Sequence, residues 1–169
     1  MNSGLSRHIQ GIHLASDWAN RVTEILLFII GLNMALIIGA QVFSRYVLNH
    51  SLFWSDEVGR ICLVWISFLG ASAAYKRHAH IGVDFLVARL SYHLRIRFAV
   101  FGVLLSLLFF AVLVLYGIIF ALFISGQKTA ALGLPLSLTY SAIPLSGMLF
   151  SLHAVSHLCR LLGLREGSP

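Results

Sequence analysis

The stretch FAVFGVLLSLLFFAVLVLYGIIFALFI occupies residues 98–124 and contains no aspartate, glutamate, lysine or arginine. A helix of about 20 mostly apolar residues crosses the hydrocarbon core of a bilayer. This stretch exceeds that length, so its helix must tilt or extend beyond the bilayer. It therefore predicts a membrane-spanning helix at about residues 97–124 and an integral membrane protein.

Three further segments of the chain are apolar and long enough to span a bilayer. They lie at about residues 22–44, 57–75 and 137–162. Pro144 interrupts the last of them, because proline cannot donate the helical hydrogen bond to the residue four positions earlier. Either Pro144 kinks one helix that begins near Leu136, which we expect, or a short piece ends near Tyr140 and the span begins at Pro144. Together the four segments predict an all-α integral membrane protein with a single membrane domain over residues 1–169.

The overall composition also fits a chain embedded in lipid. Of the 169 residues, 59% are hydrophobic and 11% are charged, whereas soluble domains carry about 25% charged residues. The formal net charge is +6, but the basic residues lie beside apolar runs rather than along one polar face, which argues against a nucleic-acid-binding protein. Cys62 and Cys159 lie inside or at the end of apolar runs, where packing explains both.

Two shorter segments have the periodicity of amphipathic helices that lie at the membrane surface. One is expected at about residues 81–95, between the second and third spans. Its apolar residues recur at helical spacing and are Val83, Leu86, Val87, Leu90 and Leu94. A weaker pattern of Leu5, Ile9 and Ile12 predicts a second such helix before the first span. The first span shows no signal-peptide pattern, so we expect it to be an uncleaved anchor.

The distribution of lysine and arginine predicts the orientation of the chain in the membrane. Nine basic residues fall in the terminal segments and in the connection between the second and third spans. They are Arg7, Arg21, Lys76, Arg77, Arg89, Arg95, Arg97, Arg160 and Arg165. The opposite side receives only Arg45 and Lys128. Because cytoplasmic segments carry the excess of basic residues, both termini and the middle connection are predicted to be cytoplasmic.

The densest group of polar residues is WSDEVGR at residues 54–60, at the start of the second span. Asp56 and Glu57 precede Arg60 at spacings that share a helix face, so Arg60 has two candidate partners. Arginine would keep both carboxylates ionised, and no nucleophile or second base is nearby, so we predict no catalytic site and no enzyme. The group is either a capped helix end with Trp54 at the membrane interface, or a docking surface for a partner.

A haem or quinone anchor subunit of a respiratory enzyme is the alternative class of protein. His153 and His157 share a helix face in the fourth span, but bis-histidine haem needs a histidine on a facing helix, and the first three predicted spans contain none. We expect both histidines to be exposed or interfacial near the cytoplasmic end, with no metal or cofactor bound. A free-standing channel is disfavoured, because the polar residues at mid-membrane are uncharged: Asn33, Ser67, Ser106 and the serines and threonine around Pro144.

Short motifs follow one another in a fixed order through the first half of the chain. They are Arg45-Tyr46, Trp54 with Asp56-Glu57 and Arg60, Phe68-Leu69-Gly70-Ala71, and His80-Ile81 with Asp84. This ordered set resembles the small membrane subunit, the DctQ-like or Q subunit, of the TRAP (tripartite ATP-independent periplasmic) transporters. Leu134-Pro135, Tyr140 and Pro144 are similar to the last helix of that family, and the resemblance covers most of residues 40–145. Asp56 departs from the pattern, in which a glutamate is commoner.

The resemblance implies a role and a set of partners. Such a subunit pairs with a large membrane subunit that holds the substrate and sodium sites, while a soluble periplasmic substrate-binding protein delivers an organic acid. It would brace the large subunit and help to dock the binding protein in the bacterial inner membrane, without a cofactor of its own. The matching residues carry over as partner-interface or docking candidates: Arg45, Trp54, Asp56, Glu57, Arg60, His80 and Asp84.

Overall fold

Helices make up nearly all of the structure, a computed structural model that describes residues 3–77 and 92–166, with side chains at residues 10–77 and 94–162. In chain order they are α1 (Ser3–Tyr46), α2 (Phe53–Lys76), α3 (Tyr92–Phe123), α4 (Leu136–Tyr140) and α5 (Ala142–Glu166). His80, Asp84 and most of the amphipathic segment predicted at residues 81–95 lie outside the described residues.

Four segments of these helices are long and apolar enough to cross a membrane. They are Gln10–Tyr46, Phe53–Lys76, Leu94–Phe123 and Leu136–Leu162. The prediction of an all-α protein with four membrane-spanning helices is therefore confirmed. Many large apolar side chains on these helices are exposed, including Phe28 of α1 and Phe101 of α3, as expected of a surface that faces lipid or other membrane helices.

The first helix is much longer than a bilayer is thick. Its 44 residues correspond to about 66 Å of helix, whereas the hydrocarbon core measures about 30 Å. The short amphipathic helix predicted before the first span is therefore not a separate element, because residues 3–21 form the beginning of α1. The reason is that no proline interrupts the chain there, so helical hydrogen bonding continues into the span.

The central helix of the bundle is α5. It packs against α1, α2 and α3, whereas α3 packs mainly against α5 and the short α4. Aromatic rings join three of the helices: Phe110 of α3 stacks on Phe150 of α5 with ring centroids 4.6 Å apart, and Tyr75 of α2 meets Phe110 edge-on at 5.2 Å. Aromatic pairs in these arrangements contribute about 0.5–1.5 kcal/mol each beyond their buried area.

Two glycines allow α3 and α5 to approach each other closely. A Cβ atom at Gly117 of α3 would lie 3.0 Å from Pro144 Cδ, and a Cβ atom at Gly147 of α5 would lie 2.7 Å from Val114 Cγ2. Each helix thus places a glycine against a larger side chain of the other. Within a bilayer, apolar surface gains little by leaving lipid, so such close packing supplies much of the attraction between helices.

The fourth span is interrupted at Ser141, between α4 and α5. Pro144 has no N–H to donate to the Tyr140 carbonyl group, and its ring would crowd that carbonyl, so regular helical bonding stops there. Proline is tolerated in the first turn of α5, where it lies. The structure has features of both alternatives that the sequence left open. A short helix ends at Tyr140, as in the alternative with a separate short segment, and yet Leu136–Leu162 forms one candidate span, as in the alternative with a single kinked helix.

The substitution Gly147→Ala should lower the melting temperature of the detergent-solubilised protein, because its methyl group would overlap the Val114 side chain. Overpacking of this kind costs about 1–3 kcal/mol. Gly102→Ala on α3 is the matched control, since a Cβ atom there would meet nothing within 4 Å. Equal melting temperatures for the two variants would contradict the close packing of α3 on α5.

Candidate functional site

Polar side chains concentrate at the two ends of the helix bundle. One end contains the connections at residues 47–52 and 124–135 together with the WSDEVGR group, and is named the Glu57 end. The opposite end contains the first part of α1, the last residues of α2 and the last part of α5, and is named the His153 end. The two ends use different chemistry to satisfy their polar groups.

At the Glu57 end, one carboxylate holds the connection between α3 and α4. The backbone N–H groups of Ala131 and Leu132 donate to Glu57 Oε1 and Oε2 at 2.6 and 3.0 Å. The connection also bonds to itself, since Thr129 N donates to the Leu134 carbonyl at 2.8 Å, and Gly133 takes the positive φ of 66° that glycine tolerates. Hydrogen bonds to a charged acceptor are about twice as strong as neutral ones, so Glu57 sets the position of this connection.

The neighbouring carboxylate joins α1 to α2. Gln41 Nε2 of α1 donates to Asp56 Oδ1 of α2 at 2.8 Å, and the Gln41 side chain is buried, with the residue 8% exposed. Ser44 Oγ donates to the His50 carbonyl at 2.6 Å, and His50 N donates to the Ser44 carbonyl at 3.1 Å. These bonds fix the short connection that follows α1.

The expected pairing of Arg60 with Asp56 or Glu57 is not found. Within residues 10–77 and 94–162, the ion pairs are those of Lys76 with Asp17 and of Arg77 with Glu24. Arg60 is exposed, and the two nearby acids are engaged by Gln41 and by the connection before α4. The expectation was wrong because Asp56 and Glu57 bond to residues that are distant in sequence, rather than to Arg60, their neighbour on the helix.

Two other interface candidates also lie at the Glu57 end. Arg45, in the last turn of α1, and Trp54, in the first turn of α2, are both exposed. The structure therefore brings together Arg45, Trp54, Asp56, Glu57 and Arg60 at one end of the bundle, with two acids used internally and the other three side chains exposed.

At the His153 end, a chain of hydrogen bonds links three helices. Lys76 of α2 lies 2.5 Å from Asp17 Oδ1 and donates to Ser16 Oγ at 3.1 Å. Ser16 Oγ of α1 in turn lies 2.9 Å from Nδ1 of His153 on α5. Ser16 Oγ accepts from Lys76 and shares a hydrogen bond with His153 Nδ1, while His153 Nε2 is buried without a hydrogen-bond partner among the described residues.

A second pair repeats this contact in the opposite direction. His13 Nδ1 of α1 lies 2.7 Å from Ser156 Oγ of α5. The two contacts, here the reciprocal His–Ser pairs, are His13 with Ser156 and Ser16 with His153. They match because α1 and α5 run antiparallel and each carries a histidine three residues before a serine. Sequence reasoning missed the pairs, although HLAS at residues 13–16 and HAVS at residues 153–156 are a visible signal.

The polar groups of this end surround a small cavity. It measures about 30 Å³ and is lined in part by Tyr75, Lys76 and His153, which is room for about one water molecule. Beside it, Glu24 Oε1 accepts from Asn20 Nδ2 at 2.7 Å and from Arg77 Nη2 at 2.5 Å. The His153 end is thus held by side chains from α1, α2 and α5.

The structure corrects two expectations about histidine. His153 is only 3% exposed, rather than exposed or interfacial, because α1 covers it. The first span also does contain a histidine, since α1 extends far enough to include His13. Nδ1 of His13 and Nδ1 of His153 each face a serine hydroxyl group. Among the described residues, no group of three or more His, Cys, Asp or Glu is placed to hold a metal ion.

The substitution Glu57→Gln should accelerate amide hydrogen exchange at Ala131 and Leu132. Glutamine keeps one carbonyl oxygen and presents an NH₂ group where the second backbone N–H donates, so we expect exchange to be about tenfold faster or more. Hydrogen–deuterium exchange mass spectrometry of residues 124–135 measures this. Asp56→Asn is the control, because Asp56 bonds to Gln41 instead. The same acceleration in both variants would refute the role of Glu57.

The substitution Ser16→Ala should lower the melting temperature, because it leaves buried His153 Nδ1 and Lys76 without a hydrogen-bond partner that both use. An orphaned buried polar group costs about 1–3 kcal/mol. Ser67→Ala is the control, since Ser67 is exposed and its hydroxyl bonds only to the Leu63 carbonyl of its own helix. If Ser67→Ala lowered the melting temperature as much as Ser16→Ala, the hydrogen bonds of Ser16 would not contribute to stability as proposed.

Comparison with known proteins identifies the family. The family profile for the DctQ component of tripartite ATP-independent periplasmic transporters matches residues 34–164. The C4-dicarboxylate TRAP transporter small permease protein DctQ of Vibrio cholerae is 33% identical over 113 residues, 62% of this chain and 48% of the relative. The sialic acid TRAP transporter small permease protein SiaQ of the same species is 25% identical over 154 residues, 88% of this chain and 86% of the relative.

A third match lies in a much longer protein. The sialic acid TRAP transporter permease protein SiaT of Haemophilus influenzae is 38% identical over 47 residues, which are 28% of this chain and 8% of that protein. The chain spans about half the length of the C4-dicarboxylate relative. The family profile covers well over half of the chain and reaches into all four spans. The chain therefore belongs to the DctQ family, the small permease components of TRAP transporters.

Proposed function

We propose that this chain is the small membrane subunit of a sodium-coupled TRAP-type secondary transporter. In this role it braces the large transport subunit and helps to dock a periplasmic substrate-binding protein for the uptake of an organic acid. The observation that carries the proposal is the family match over residues 34–164. That match begins within α1 and ends within α5, so it includes α2, α3 and α4 entirely and the last part of α1.

The names of the relatives support an organic acid as the substrate class. They specify a C4-dicarboxylate, sialic acid and ectoine, each of which carries a carboxyl group. Among the described residues, each acidic side chain has a partner within the chain: Asp17 pairs with Lys76, Glu24 with Arg77, Asp56 accepts from Gln41, and Glu57 accepts from backbone N–H groups. We therefore assign substrate and sodium binding to the large partner subunit, and we assign no cofactor to this chain.

The match to SiaT supports a large membrane partner. A segment similar to this chain forms part of a permease protein many times longer than the 47 matched residues. Joining two proteins in one polypeptide is expected where they work side by side in the membrane. On this basis the present chain associates with a separate large subunit.

The packing of the bundle suits a brace. α5 is held on three sides, with close glycine contacts to α3 and the reciprocal His–Ser pairs to α1. Interior packing and hydrogen bonds between helices both limit movement of the helices relative to one another. A rigid body of this kind can enlarge a static scaffold against which another subunit moves.

The orientation proposed for the chain follows from its basic residues. Lys76, Arg77 and Arg160 lie at the His153 end, together with the first part of α1. We place this end, with both termini, in the cytoplasm of a bacterium, and the Glu57 end on the periplasmic side of the inner membrane. Docking of the binding protein then falls to the Glu57 end.

The docking and interface candidates divide into two groups in this proposal. Arg45, Trp54 and Arg60 contact partners directly, because their side chains are exposed at the Glu57 end. Asp56 and Glu57 position the surface that partners meet, because they bond to Gln41 and to the connection before α4. His80 and Asp84 belong to the cytoplasmic connection between the second and third spans.

Reconstitution into liposomes tests the function. Uptake of C4-dicarboxylate or sialic acid should require this chain, its large subunit, the binding protein and an inward sodium gradient, and should cease when potassium replaces sodium. This chain alone should move neither acid. Transport by the isolated chain, or full uptake when this chain is omitted, would refute the proposal.

A further inference from the structure

We infer that one exposed face of α2 packs against a transmembrane helix of the large subunit, and that Arg60 forms an ion pair there with an aspartate or glutamate of that helix. The inference rests on the proposed function, since it presumes a large membrane partner. The exposed α2 face consists of residues that recur at helical spacing: Asp56, Arg60, Leu63, Ser67 and Ala71.

The depth of Arg60 is set by the contacts between α1 and α2. A Cβ atom at Gly59 would lie 3.0 Å from Ile38 Cδ1, and one at Gly70 would lie 3.9 Å from Leu27 Cδ2. The same antiparallel register places Arg60 beside Ile37 of α1. Measured along the helix, this is about 10 Å from the start of α2, at a level where the neighbouring helix is apolar.

A cation at this depth needs a partner. Charged side chains within a membrane segment are rare, and they pair with one another or face a protein interior rather than lipid tails. Among the described residues, Arg60 has no ion pair and no side-chain hydrogen bond, because Asp56 and Glu57 are engaged elsewhere. In this inference the counter-charge for Arg60 comes from the large subunit, where a carboxylate matches both the charge and the planar geometry of guanidinium.

The composition of the exposed α2 face favours a protein helix over lipid. Beyond the first turn of α2, Leu63 is the one large apolar side chain among its exposed residues, and it is accompanied by Ser67 and Ala71. On α3 the exposed residues are instead dominated by large apolar side chains such as Phe101 and Leu108. Small and hydroxyl-bearing residues are enriched where membrane helices touch, whereas large apolar residues suit lipid.

Co-purification provides the first test. The full chain is expressed with its large subunit, and the amount of large subunit recovered with it is measured. Arg60→Glu should reduce recovery about tenfold or more, the size expected when a buried ion pair becomes a repulsion. Lys128→Glu is the matched control, because Lys128 is also an exposed cation at the Glu57 end. The melting temperature of Arg60→Glu alone should stay close to that of the unmodified chain, because Arg60 has no ion pair and no side-chain hydrogen bond among the described residues. The introduced carboxylate meets Asp56 and Glu57 only as helical neighbours, a repulsion that costs little.

Photocrosslinking provides a test that does not depend on charge. A benzoylphenylalanine residue replaces Leu63 on α2 or Leu108 on α3, two leucines of similar exposure, 54% and 64%. The α2 position should crosslink to the large subunit, and the α3 position should not. The acid that pairs with Arg60 is then sought in the crosslinked helix of the large subunit. Replacing that acid with lysine should restore the amount of large subunit that co-purifies with the Arg60→Glu chain.

The outcomes separate this inference from the proposed function. If the unmodified chain and the large subunit do not co-purify, both are refuted. If they co-purify but Arg60→Glu behaves like Lys128→Glu, or only the α3 position crosslinks, the inference alone is refuted. Unchanged recovery of Arg60→Ala would also refute it, and would indicate that a lipid phosphate group pairs with Arg60.

Discussion

The close contact between α3 and α5 at Gly117 and Gly147 is the interaction on which the bundle depends. α3 packs mainly against α5, with smaller contacts to α4 and to Tyr75 of α2, so its place in the molecule rests chiefly on α5. α5 in turn joins α3 to the pair formed by α1 and α2. Because lipid provides no strong apolar driving force between helices, a loss of complementarity at these two glycines weakens the attachment of the third span.

The polar chemistry of the two ends follows from the same environment. Water is excluded from the spans, so polar groups near them must find partners within the protein. At the Glu57 end, a carboxylate meets backbone N–H groups of a connection that has no helical partners. At the His153 end, side chains on three helices bond to one another instead. Arg60 stands apart because it has neither an ion pair nor a side-chain hydrogen bond among the described residues.

Run length and charge were enough to predict the four spans, since both follow directly from the thickness and polarity of the bilayer. The break at Ser141 was half predicted, because Pro144 forbids one hydrogen bond without saying where the helix resumes. The partners of Asp56 and Glu57 could not be predicted from helical spacing. Gln41 and Ala131 reach them only in the folded chain, and contacts so distant in sequence leave no local pattern.

The reciprocal His–Ser pairs have a consequence for biosynthesis. Ser16 and His153 are 137 positions apart, so the first leaves the ribosome long before the second. The two contacts with α5 therefore form only after the fourth span has been synthesised. Until then, His13 and Ser16 lack their partners on α5, whereas Lys76 can already bond to Ser16 and Asp17 of α1. Completion of these pairs thus distinguishes the four-span bundle from a chain that still lacks α5.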